Sequence, residues 1–439
     1  MSLASVPGPK GIPILGMALE FSKDPFAYAK QVGRFRPVAA VPFPGMKLVY
    51  VLEPELVEQV LVRESKRFRK GAFMSRVEIV FGEGILLAEG DAWKQQRRRM
   101  APAFTKKAVR EMSEAIGPLA VERLEDWKDG EVRDLHVDMM GLTLEVVLRV
   151  LFGTGASGDD LATVRTAFHD IAEHFAGLSE LVVSIPLWVP TPGNLRFKRA
   201  RADLDGVVSR ILGERRASGE HGTDLLGRML TAADSEGTPL DEAQLQDEVR
   251  TLLLAGHETT AVALTTACFM LAQHPDSQAW AHQELDAIEG PITVDTPLPR
   301  LSAILDEAMR LFPPAPVFPR EPIEDVQLGE HTIPAGTTLI IPPFILHHDE
   351  RFFAEPEVWK PERWTPELRD ALPRFAYFPF GGGPRICIGV HLALAEARIV
   401  LAELLRRHTL SPAPGAAMKL VPSITMRPSE PVEVVAHRR

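Results

Sequence analysis

The chain has 439 residues, 45% hydrophobic and 25% charged, with a net charge of −10. The balance is that of an ordinary globular protein, and the acidic sign argues against a nucleic-acid partner. Two cysteines, Cys268 and Cys387, are too few for a disulfide framework and suit a reducing compartment. A prior of roughly 150 residues per domain would give about three domains, but no polar, Pro/Gly/Ser-rich linker divides the chain. One unit over 1–439 is therefore expected.

In chain order, the first apolar run, Gly11 to Leu19, is broken by Pro13. It is far short of the ~20 residues that cross a bilayer and has no basic start for a signal peptide. A β-rich part is expected over about 36–70. Val38–Val41 and Lys47–Leu52 read as strands around a Pro42–Gly45 turn. A helix should follow Pro54 and run to about Arg63, with proline suited to its first turn. Phe73 to Leu87 reads as an apolar loop with Gly82 and Gly84. Asp91 is expected to cap the next helix, where Trp93 and Arg97, four apart, share one face. Both donate hydrogen bonds and together suit one anionic oxygen. Lys94, Arg98, Arg99, Lys106 and Lys107 add a basic patch to an acidic protein.

Residues 110–230 are helical by pattern, interrupted by Pro186, Pro190, Pro192 and Gly193. Phe168, His174, Phe175, Leu187 and Trp188 flank that break; each reads as core first and as a pocket contact second. Leu240 to Leu271 is a long helical run containing Leu254-Ala255-Gly256-His257-Glu258-Thr259-Thr260. A glycine inside a helix costs about 1 kcal/mol relative to alanine, and hydroxyls compete for backbone carbonyls. Together they suggest a local groove with room for a diatomic ligand. Cys268, further along, reads as core. Leu301 to Leu311 is helical, with Glu307 and Arg310 three apart. An extended Phe312–Phe318 and short strands at Val326–Leu328, His331–Ile333 and Thr337–Ile341 follow.

The most specific stretch is Phe380-Gly381-Gly382-Gly383-Pro384-Arg385-Ile386-Cys387-Ile388-Gly389, opening into a helix from His391 to His408. Amides at a helix N-terminus and the helix dipole favour a thiolate there, and such sites lower a cysteine pKa and improve it as a metal ligand. The glycines let the backbone approach something flat and bulky.

Phe-Gly-x-Gly-x-Arg-x-Cys-x-Gly resembles the haem-binding signature of cytochrome P450s. The resemblance implies the P450 fold, mainly α with small β-sheets, and haem b (iron protoporphyrin IX) with Cys387 as its axial thiolate. It implies that Phe380 and Gly389 pack by the sulfur, and that Trp93, Arg97, Arg320 and Arg385 meet the haem propionates. Ala-Gly-x-Glu-Thr-Thr resembles the oxygen-activating motif, implying that Thr259 hydrogen-bonds the bound oxygen and Glu258 relays protons. Glu307 and Arg310 resemble the family's internal ion pair, joined by Arg363 of Pro-Glu-Arg-Trp; their implied role is structural. Leu86, Ala255, Val317, Phe318 and Ile424 fall where the family contacts substrate. Val6–Gly11 resembles the proline-rich hinge of anchored relatives, without the anchor.

The expected activity is monooxygenation of a hydrophobic small molecule with O2: a fatty acid first, a terpenoid second. Electrons are expected from a ferredoxin and ferredoxin reductase docking on the basic patch, to a cytoplasmic monomer. Two rivals use the same residues: a peroxide-using or isomerising haem-thiolate enzyme, and a haem-binding sensor.

Overall fold

The computed structural model describes residues 3–75, 77–153, 157–174, 186–219, 222–231, 241–422 and 425–439. Phe175 and Ile424 lie outside the described residues. Strands β1 (Val38–Phe43) and β2 (Met46–Val51) form an antiparallel hairpin from Val38↔Val51 to Phe43↔Met46. The turn is tighter than Pro42–Gly45. Pro42 and Phe43 stay in the strand, and Gly45 takes a φ of +68°, a region open to glycine. Helix α1 (Pro54–Glu58) starts on its proline and widens to π geometry over Gln59–Arg63. Strand β3 is Phe68–Arg69.

The segment expected to be a loop, Phe73 to Leu87, instead winds short helical turns at Ala72–Ser75 and Glu78–Phe81. Helix α2 (Gly90–Met100) follows, two residues earlier than expected. Glu89 is its extended cap residue, and Asp91 sits inside the first turn, paired with Lys94 at 2.7 Å. Next come α3 (Ile116–Glu125), β4 (Glu131–Asp134), α4 (Leu135–Phe152), α5 (Gly158–His174) and α6 (Pro192–Ser218). Pro192 begins α6 rather than breaking it, in keeping with proline's tolerance for a first turn.

Helix α7 (Glu242–Gln273) is the central rod. Asp241 caps it by accepting from the Gln244 amide at 2.8 Å. It lies on α4, where a Cβ on Gly256 would come within 3.2 Å of Val147. The helix runs unbroken through Gly256, so close packing accounts for the glycine better than a bend does. By length and composition α7 could cross a membrane, yet 67% of its most apolar window is buried inside the protein, Cys268 included.

Helix α8 (Pro299–Leu311) leads to β5 (Phe318–Pro322), β6 (Val326–Leu328), β7 (His331–Ile333), β8 (Thr338–Ile341) and α9 (Pro343–His347). The main sheet has the order β1-β2-β8-β5-β3. The β-rich N-terminal part is therefore not a local unit, because two of its five strands come from beyond residue 317. Helix α10 (Val390–Arg407) leaves the cysteine loop and buries Ala395, Ile399, Val400, Leu401 and Leu404. It is followed by β9 (His408–Pro412), β10 (Leu420–Pro422), β11 (Met426–Pro428) and β12 (Glu433–Arg438).

Candidate active site

The cysteine loop is pinned from several sides. Gly381 and Gly383 have φ of +72° and +67°, and a Cβ on Gly383 would come within 1.9 Å of the Leu61 carbonyl oxygen. The Cys387 amide donates to the Phe380 carbonyl at 3.0 Å and Ile386 to Gly383 at 3.1 Å. The Phe318 ring lies against Gly381 and pairs with Phe378 at 6.2 Å. Phe318 thus backs the cysteine loop, while Val317 packs in the small cluster beneath β2 and β8.

Behind this loop runs a polar brace. Glu307 and Arg310 are completely buried and joined by two 2.9 Å hydrogen bonds. Arg363 and Trp364 also donate to the Glu307 carboxylate, at 3.1 and 2.9 Å. Arg310 donates on to the His347 carbonyl at 3.0 Å, and the His347 ring accepts from the Phe378 amide at 3.0 Å. Burial holds the His347 pKa well below its usual value, so the ring stays a neutral acceptor. His347 was not singled out in the sequence; nothing in its local pattern separates it from an ordinary core histidine.

Cys387 remains accessible at the end of this rigid support. Burial of its surroundings pushes its thiol pKa up, against the Gly389 amide and the Arg97 guanidinium, which pull it down. The net direction is opposite to the one expected from a helix N-terminus alone, since desolvation is the larger effect. A coordinating metal would deprotonate the thiol outright. A Cβ on Gly389 would come to 4.0 Å from the sulfur.

A second accessible spot lies on α7: Ala255 is exposed although Leu253, His257 and Thr260 around it are buried. Leu86, Trp93, Leu252, Leu254, Phe380 and Ile388 are half-open and border the same apolar cluster. These features supply a thiol and apolar walls for one bulky group.

The cations complete the set. Arg385 stacks on the Trp93 ring at 4.2 Å and donates to the Ala88 carbonyl at 2.7 Å and to Glu89 at 2.6 Å. Lys70 donates to the Leu86 carbonyl. Arg320 reaches the Pro319 carbonyl at 2.7 Å, and Arg97 lies close enough to Cys387 to interact with its charge. Burial lowers the pKa of Arg320 to about 10, with Arg385 adding to the effect and Glu89 opposing it. Lys70 is lowered well below its usual value by burial, then by Arg320 and Arg385. Three cations, Lys70, Arg320 and Arg385, thus gather around the Glu89 carboxylate, two of them repel the third, and Arg97 adds its charge beside Arg385. Such a cluster is costly to bury unless further negative charge joins it, and the paired carboxylates of a haem fit it. Lys70 escaped sequence reasoning because it stands in no motif, and its neighbours Leu86, Glu89, Arg320 and Arg385 come from three separate stretches of the chain.

The cytochrome P450 family profile matches residues 6–435. The chain belongs to the cytochrome P450 family. It is 32% identical over 419 residues to the cyclooctat-9-en-7-ol 5-monooxygenase of Streptomyces melanosporofaciens, covering 93% of this chain and 90% of the relative. It is 28% identical to the pentalenene oxygenase of Streptomyces avermitilis, with 95% and 94% covered. Among solved structures, the cytochrome P450DA heme domain superposes with a TM-score of 0.88 at 26% identity, covering 99% of this chain and 98% of the other. The retinoic acid-bound cyanobacterial CYP120A1 gives 0.87 at 26% identity, with 99% and 100% covered. This P450 is a haem-thiolate monooxygenase that acts on a hydrophobic small molecule.

On the α7 side of this P450, Thr259 donates to the Ala255 carbonyl at 2.9 Å and Thr260 to Gly256 at 3.1 Å. Glu258 accepts from the Thr425 hydroxyl at 2.8 Å. Burial raises its pKa, against Thr425 and Arg427, so it holds a proton at higher pH than a free carboxyl. His257 is buried, stacked on Phe168 at 4.2 Å, and held neutral with a pKa lowered to about 4. Phe168 is therefore core. His174 packs on Phe197 at 4.4 Å, Leu187 is half-buried and Trp188 is 80% exposed. In the basic patch, Lys94, Arg98, Lys106 and Lys107 are exposed, but Arg99 is buried and donates to Gln244 at 3.2 Å. Arg99 therefore drops out of the docking face.

Proposed function

We propose that Cys387 would supply the thiolate ligand of a b-type haem, and that Trp93, Arg97, Arg320 and Arg385 would hold its propionates, with Lys70 as an additional partner. The observation that carries this is the accessible thiol, with Arg97 close enough to act on its charge, set beside three cations, Lys70, Arg320 and Arg385, that share the Glu89 carboxylate. Phe380 and Gly389 flank the sulfur. A thiolate-ligated haem supplies the activation of O2 and the oxidation of an unactivated C–H bond. The chain's own residues do the rest. Glu258, its pKa raised by burial, would pass protons inward from the side of Thr425 and Arg427, and Thr259 would offer its hydroxyl to the reacting oxygen. Leu86 and Ala255 form apolar walls that exclude water.

The substrate class is terpenoid. The names of the two Streptomyces relatives and the retinoic acid complex favour it over fatty acids, the first expectation from sequence. Electrons come from a ferredoxin and its reductase, docking near Lys94, Arg98, Lys106 and Lys107, and the enzyme works as a cytoplasmic monomer.

The test is an optical titration of the purified, oxidised protein with a panel of terpenoids and fatty acids. A low-spin haem band that shifts towards high spin with terpenoids is the expected result. A shift with fatty acids alone would return the substrate class to the first expectation. A Cys387→Ala protein with an unchanged haem spectrum would overturn the ligand assignment.

A further inference from the structure

One wall of the substrate cleft is held by α7 through its backbone. The segment from Val80 to Glu89 carries Leu86. Four neighbouring side chains of α7 grip its first half. Asp247 accepts from the Glu83 amide at 2.8 Å and Glu248 from the Ile85 amide at 2.8 Å. Thr251 donates to the Phe81 carbonyl at 3.2 Å and Arg250 to the Val80 carbonyl at 3.4 Å. Gln96 of α2 takes the Glu83 carbonyl at 2.8 Å. There is no room for side chains in between: a Cβ on Gly82 would come to 2.2 Å from Asp247, and one on Gly84 to 2.1 Å from Thr251. The second half is held by Lys70 at the Leu86 carbonyl and by Arg385 at the Ala88 carbonyl and Glu89.

Glu248 is the centre of the grip. Its side chain has no solvent exposure, and its Oε1 is buried without a hydrogen-bond partner among the described residues. It precedes Ala255 by two helical turns, so it lies on the face of α7 that carries Ala255 and Thr259. A fully buried carboxyl spent on one loop amide is a costly way to close a core. Its effect is to tie the position of the wall to the helix that carries the oxygen-handling residues.

We propose that Asp247, Glu248 and Thr251 are positioning residues for substrate selectivity: they set the distance between the Ile85–Leu86 wall and the Ala255–Thr259 face of α7. Their role is to fix which carbon of a hydrophobic substrate faces the reacting oxygen. This rests on the terpenoid monooxygenase reading above.

The experiment compares the haem-loaded wild type with Glu248→Ala, Glu248→Gln and Asp247→Ala, by amide hydrogen exchange over 80–89 and by the ratio of regioisomeric products from one terpenoid. Glu248→Ala is expected to speed exchange at Ile85 about tenfold, the effect of losing one buried hydrogen bond, and to change the product ratio. Glu248→Gln keeps an acceptor for the amide and restores both. Asp247, less buried, gives a second variant should Glu248→Ala fail to fold; its loss speeds exchange at Glu83 and again alters the ratio. Unchanged exchange in both alanine variants removes the grip, and faster exchange with an unchanged product ratio removes the role in selectivity. A wild type that oxidises no member of the panel overturns the substrate reading and not the grip, which the exchange rates then decide.

Discussion

Glu258 and Thr259 are neighbours in sequence with opposite bonding. The carboxyl is turned towards Thr425, and the hydroxyl is turned back on its own helix. Glu258→Gln is expected to slow coupled turnover by about 10²-fold, the scale of a lost proton donor, with more peroxide released per electron pair consumed; equal coupling in the variant would remove Glu258 from the proton path. Glu248 yields a prediction for stability. Its pKa is raised from 4.5 to about 8 by burial, so the unfolded chain loses this proton at lower pH than the folded one. Stability therefore falls as pH rises from about 4.5 to about 8 and levels off above. Glu248→Gln, free of this proton linkage, should gain thermal stability relative to wild type across that window, by up to a few kcal/mol at about 1.4 kcal/mol per unit. A stability difference that stays flat from pH 5 to 8 would contradict it. Cys387, Glu258 and Thr259 stand out in the sequence because each lies in a long motif. Lys70, His347 and Glu248 do not, because each meets a backbone group outside its own element, with no local pattern to mark it.

At the scale of elements, the cysteine loop depends on a brace assembled from α8, the Pro361–Trp364 turn, α9 and Phe378. Removing one member of a buried charge pair costs roughly 3–5 kcal/mol because the other is left uncompensated. Arg310→Met should therefore lower the melting temperature and weaken haem retention together, whereas Arg369→Met, on a part-exposed pair with Asp306, should do neither to a comparable degree. Loss of stability with full haem retention would show that the brace does not reach the loop. Glu307, Arg310 and Arg363 were legible as a set only through the family pattern; their spacing alone suits a surface pair. Element types were read well where periodicity ran long, as in α7, α8 and α10. They were missed over Phe73 to Leu87, where turns of four residues are too short to carry a period.

Across the whole molecule, charge is unevenly used. The protein is acidic, yet Lys94, Arg98, Lys106 and Lys107 lie exposed at and just beyond α2. Lys106→Glu combined with Lys107→Glu should raise KM for a ferredoxin several-fold at low salt and flatten its salt dependence, leaving kcat at saturating donor unaltered; an unaffected KM would place docking elsewhere. We also propose that 1–439 forms one folding unit, which predicts a single calorimetric transition, with two resolved transitions as the contrary result. The sheet carries a consequence for biosynthesis. Strands β1 and β2 leave the ribosome long before β8, the strand that pairs with β2 along Leu48–Tyr50. At about 5–20 residues per second, the edge of β2 waits many seconds for that partner. The nascent chain thus carries an open, apolar strand edge through most of its synthesis, a surface for chaperones to cover and for self-association to exploit.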